Sequence, residues 1–119
     1  MKEMKHDSST RSWSGLGDEW LELARQESRL HFIMPCMLGL MGEVTGKRIL
    51  DLGCGEGGYA RELTRRGAQV TAVDCSEKAV AHARRLAAEE KLAITHLVRN
   101  SNDLFDLPDA SFDVVLCSM

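Results

Sequence analysis

The chain has 119 residues, 44% apolar and 28% charged, which fits one globular domain. Fifteen basic and eighteen acidic side chains leave a net charge of −3, so there is no electrostatic case for nucleic acid or an anionic membrane as partner. No apolar run approaches the length needed to span a bilayer.

The N-terminus, MKEMKHDSSTRS, is polar and lacks the apolar centre of a signal peptide. Residues 1–14 read as a disordered lead-in and residues 15–119 as the domain. Asp18 is a candidate N-cap for a helix reaching about residue 32. Its stripe is Leu21, Ala24, Ser28 and Phe32, with Trp20, Leu23 and Leu30 nearby. Pro35 suits the first position of a short apolar helix carrying Met37, Leu38, Leu40 and Met41, and Gly42 and Gly46 mark its end. RILDL, residues 48–52, reads as a buried strand feeding into glycines. Helical character follows over residues 57–66, stopped by Gly67. QVTAV, residues 69–73, is a second strand ending at Asp74. Ser76 can cap the next helix, with Glu77 in its first turn and an apolar face of Ala79, Val80, Ala83, Leu86 and Ala87 reaching about residue 91. AITHLV (93–98) and FDVVLC (112–117) are the third and fourth strands, separated by a polar loop. Strands and helices alternate at βαβ intervals, so the expected class is α/β, a Rossmann-like, mostly parallel sheet with helices on both faces.

Cys36, Cys54, Cys75 and Cys117 form no C-x-x-C pair, and reduced thiols in cytoplasm are expected. His6, His31, His82 and His96 are scattered, with no metal-ligand spacing, and no metal site is expected.

The chemistry concentrates in ILDLGCGEGG, residues 49–58. Gly53, Gly55 and Gly58 spell G-x-G-x-x-G between a strand and a helix. Such a turn lets the backbone approach a ligand and aims helix N–H groups at negative charge. Asp74, 21 residues after Gly53 at the end of the next strand, suits ribose hydroxyls. The competing structural role for these residues is a tight turn with Asp74 capping a helix. Asp51 decides which nucleoside fits. A carboxylate before the first glycine would repel a pyrophosphate. A ligand carrying ammonium and sulfonium groups reverses the sign, and Glu56 would add a second negative charge. The ligand's own carboxylate could use the helix N-terminus near Gly57 and Gly58. S-adenosylmethionine has all these groups.

The segment GKRILDLGCGEGGYARELTRRGAQVTAVDCS resembles the first motif and second strand of class I S-adenosylmethionine-dependent methyltransferases. FDVVLCS is similar to their fourth strand. PCMLGLMGEVTGKRILDLGCG resembles the lead-in of the small-molecule branch that includes the quinone-biosynthesis enzymes. The resemblance spans about residues 18–119. It implies that Asp51, Gly53 and Gly55 line the methionine part of the cofactor, with Cys54 and Glu56 contributing chiefly backbone. It implies Asp74 on the ribose and Cys75 along the adenine ring. The family's acid and small residue after the third strand are here Asn100 and Ser101, a departure that removes charge assistance at the adenine edge. The loop LFDLPDASFD is one residue longer than the common form, which leaves the roles of Asp103 and Asp106 open. Cys117 and Ser118 would close the pocket by backbone.

The family domain is a seven-stranded sheet. This chain is expected to supply about four of those strands, in the order 3-2-1-4, leaving Val114, Val115 and Leu116 on a bare edge. Either the chain is a fragment or it completes itself by pairing; self-association is expected. The implied function is methyl transfer from S-adenosylmethionine to a small-molecule acceptor, with S-adenosylhomocysteine as product. No general base is named: His31 suits a helix surface better, and Trp13 and Trp20 suit packing. Competing readings are a nicotinamide- or flavin-dependent oxidoreductase fragment, which Asp51 argues against, and a non-catalytic cofactor-binding or oligomerisation module.

Overall fold

The computed structural model describes residues 8–17, 19, 21, 32–100, 102–104, 107 and 111–117. The helix expected from Asp18 therefore lies largely outside the described residues, as do His31, Trp20, Ser101, Asp106 and Ser118.

The first element corrects an expectation. Ser8–Ser14 forms helix α1 where a disordered lead-in is expected. Thr10 is fully buried in it, and its hydroxyl accepts a hydrogen bond from Asn100 Nδ2 at 3.1 Å. This polar contact reaches 90 residues along the chain to a segment whose own composition gives no reason to order.

Helix α2 (Met34–Met41) starts with Pro35 in its first turn, where a missing N–H costs nothing, and Gly42 follows with φ +67. Strand β1 (Arg48–Leu52) leads through the glycine loop into α3 (Gly58–Arg65). Strand β2 (Gln69–Asp74) leads into α4 (Glu77–Glu89), which stops two residues short of its expected end; Lys91 there takes a left-handed φ of +57. Strands β3 (Thr95–Val98) and β4 (Val114–Cys117) complete the sheet.

All pairings are parallel and the strand order is β3-β2-β1-β4, as the sequence implies. Register sets Asp51 opposite Ala72 on β2 and Leu116 on β4. Ile49, Val70, Ala72 and Leu116 share one core cluster with Leu38 of α2 and Ala60 and Leu63 of α3. Helix α4 runs beside α3: Glu90, which caps it, pairs with Arg61 and Arg65. The steps β1 to β2 and β2 to β3 run in one direction, so right-handed crossovers place α3 and α4 on the same face. The connection from β3 to β4 contributes no described helix. Its polar composition favours turns, and Asp103 and Leu107 close i to i+3 bonds onto Asn100 and Leu104. On the opposite face Leu50 and Val73 are buried, while Val115 of the edge strand is 58% exposed.

Candidate cofactor site

The site lies beyond the carboxyl ends of β1 and β2, where open parallel sheets bind ligands. Gly53, Gly55 and Gly57 take φ of +68, +56 and +86, conformations that a side chain would strain. A Cβ at Gly53 would meet nothing within 4 Å, so this backbone faces open space. Gly57 and Gly58 differ. A Cβ at Gly57 would lie 3.1 Å from Ala83 Cβ and 3.2 Å from Arg61 Nη1, and one at Gly58 would lie 2.5 Å from Glu56 Oε1. A side chain at Gly57 would be strained by its φ and crowded by Ala83 and Arg61, while one at Gly58 would have to displace the end of the Glu56 side chain.

Asp74 ties the two turns together. Its Oδ2 accepts from Gly55 N–H at 3.0 Å and its Oδ1 from Ser76 N–H at 2.9 Å. An ionised carboxylate still offers further acceptor positions on each oxygen. Ser76 caps α4 by accepting from Ala79 N–H at 3.2 Å. Helix α3 has no side-chain cap, which leaves its first N–H groups for a ligand.

Asp51 is the outlier. It is 2% exposed and its Oδ2 has no hydrogen-bond partner among the described residues. Burial, and then the nearby Asp74 charge, push its carboxyl up to about 7. The same burial, with Asp51 and Asp74 beside it, raises the Cys54 thiol and keeps it protonated, so Cys54 is no nucleophile. A buried carboxylate without a partner, beside an uncapped helix and an open glycine turn, fits a ligand bearing both an ammonium and a carboxylate. The residues present therefore suit the amino-acid end of S-adenosylmethionine.

Three expected residues sit differently. Glu56 does not offer its charge to a ligand: its Oε2 pairs with Arg61 at 2.6 Å, with both side chains buried. Desolvation makes an unpaired charge at that position too costly, so the expectation of a second free carboxylate is corrected. Asn100 follows β3, but its amide nitrogen holds Thr10 and its oxygen accepts from Asn102 N–H at 3.0 Å. Cys117, paired in register with Leu52, is exposed at the end of β4. Cys75 is half-buried directly after Asp74.

Trp13, for which packing is the expected role over lidding the site, lies beside Asp74. A cleft beside Asp74 is bounded by Gly55 and Ser76 on one side and by Trp13, Leu16, Gly17 and Leu21 on the other, and holds about 30 Å³. That is room for a water or two, whereas nucleoside-sized ligands occupy roughly 300 Å³ or more. A larger groove of about 520 Å³ lies among α2, α3 and α4. Its charged groups include Arg61, Arg65 and Glu90, already paired with one another, and Glu56 and Gly58 of the glycine loop also line it.

Among the described residues no group of His, Cys, Asp and Glu could hold a metal ion, and no helix is long and apolar enough to cross a membrane.

A parallel sheet ordered 3-2-1-4 with a glycine turn and two carboxylates at its carboxyl edge defines a Rossmann-like protein. Residues 49–119 match the family described as "Methyltransferase domain", and the chain belongs to that family. It is 32% identical over 115 residues to the ubiquinone biosynthesis O-methyltransferase of Xanthomonas euvesicatoria, covering 94% of this chain and 48% of that protein. The Idiomarina loihiensis protein of the same name is 38% identical over 109 residues, with 88% and 45% covered. A crystal structure of a SAM-dependent methyltransferase from Aquifex aeolicus superposes with a TM-score of 0.73 at 25% identity, covering 86% of this chain and 56% of that one. The chain spans about half the length of the curated relatives it matches.

Proposed function

We propose that this chain is the cofactor-binding half of an S-adenosylmethionine-dependent methyltransferase that acts on a small molecule and leaves S-adenosylhomocysteine. The observation that carries the reading is Asp51, a buried carboxylate with an unpartnered oxygen at the mouth of a glycine turn. It would hold the ligand's ammonium. Gly53 would let the backbone approach, the N-terminus of α3 would take the ligand carboxylate, and Asp74 would add ribose hydroxyls to the bonds it already makes. The cofactor supplies an activated methyl group, so the protein's part is to bind, orient and exclude water. The name of the curated relatives supports an oxygen atom as acceptor. The four free thiols support a reducing, cytoplasmic setting.

Parallel calorimetric titrations with S-adenosylhomocysteine and NAD test the reading. Binding of the first alone is expected. Binding of NAD alone would restore the oxidoreductase reading, and binding of neither would leave a non-catalytic module. Self-association through β4 belongs to the same reading, supported by the exposed Val115 on an edge strand. Light scattering at tens of micromolar should give more than the monomer mass; a strictly monomeric profile counts against it.

A further inference from the structure

Arg61 has no part in the reading above, yet it is one of the most deeply placed charges in the molecule, at 7% exposure. It reaches back from α3 into the glycine loop. Its Nη1 donates to the Glu56 main-chain carbonyl at 2.5 Å and its Nη2 to Glu56 Oε2 at 2.6 Å. Its Nε faces Glu90 Oε2 at 3.2 Å, at the end of α4. The turn is wrapped around this ion pair: Gly57 has no room for a Cβ beside the guanidinium, and Gly58 has none beside the Glu56 carboxylate. The Glu56 carboxylate therefore lies beside Gly58, the first residue of α3, yet it is bonded to Arg61 and makes no cap hydrogen bond to that helix.

We propose that Arg61 is a positioning residue that keeps Glu56 from capping α3, so that the helix N-terminus stays open for a ligand bearing its own carboxylate. This rests on the methyl-donor reading and deepens it. Without the guanidinium, the Glu56 carboxylate is drawn to the nearest unsatisfied N–H groups and to the positive end of the helix dipole. It then competes for the place that the ligand's amino-acid carboxylate would take. The nucleoside end, at Asp74, is untouched by this competition.

The test compares two probes by calorimetry: S-adenosylhomocysteine, and 5′-methylthioadenosine, which has the same nucleoside thioether without the amino-acid end. In Arg61→Met the dissociation constant for S-adenosylhomocysteine should rise about tenfold, while that for 5′-methylthioadenosine changes by less than about twofold. The double variant E56Q/R61M removes both charges, so it avoids a buried unpaired carboxylate and does not depend on the single variant folding. Its ratio of the two affinities should lie within about threefold of the unmutated chain. Equal losses for both probes in Arg61→Met would mean a merely structural role and overturn the proposal. A double variant whose ratio stays shifted about tenfold would place the effect in the arginine's own charge, and overturns it too. An unmutated chain that binds 5′-methylthioadenosine but not S-adenosylhomocysteine overturns it at the outset. A chain that binds neither removes the methyl-donor reading itself.

Discussion

The turns after β1 and β2 both lead from a strand into a helix, and they finish differently. After β2 every polar group has a place: Asp74 accepts from two N–H groups and Ser76 caps α4. After β1 the helix is uncapped and Asp51 keeps a buried oxygen without a partner. Buried polar groups in folded proteins are overwhelmingly satisfied, so the turn after β2 is complete as structure, while the turn after β1 keeps an acceptor open that the proposed ligand would fill. Replacing Asp51 and replacing Asp74 should therefore shift stability in opposite senses, while both weaken binding.

The largest effect should come from Asp51→Asn. Burial raises the Asp51 carboxyl from 3.8 to about 7, so between those pH values the folded chain holds a proton that the unfolded chain releases. Stability then falls as pH rises through this window and levels off above it. The asparagine variant lacks that slope, and at pH 8 it should be more stable than the unmutated chain by about 4 kcal/mol, read from urea denaturation. The same variant should bind S-adenosylhomocysteine more weakly. A variant equally stable at pH 5 and pH 8 relative to the unmutated chain would show Asp51 to be ionised throughout. Asp74→Ala should act the other way round, losing about 1–2 kcal/mol of stability because two N–H groups lose their acceptor. It should also weaken S-adenosylhomocysteine by about 1–3 kcal/mol, and an unchanged affinity removes Asp74 from the site. The smallest effect is expected from Ser76→Ala, about 1 kcal/mol of stability for a lost cap with binding unchanged.

The same contrast explains what the sequence made legible. The strands, the glycine turn and the Ser76 cap are written in residues within one turn of each other, and they appear where expected. Asp51 was informative for the same reason: a carboxylate inside RILDL is anomalous whatever surrounds it. The misreadings share a different origin. Glu56 was given a free charge because its neutralising partner, Arg61, lies on the next helix, where it reads as an exterior arginine. Residues 8–14 were set aside as a lead-in because their buried contact is with Asn100, across almost the whole chain. Local chemistry and the strand order were readable; bonds between side chains on distant segments were not.

Trp13 and Leu16 leave about 30 Å³ beside Asp74, and this has a consequence in time as well as in space. If a nucleoside binds at Asp74 as proposed, Trp13, Leu16, Gly17 and Leu21 must first move aside. Its apparent dissociation constant would then be the intrinsic one divided by the fraction of molecules that are open. Association becomes slower than diffusion allows, and its observed rate levels off at high ligand concentration at the frequency of opening. The hydrogen bond between Thr10 and Asn100 is among the contacts that such an opening would loosen.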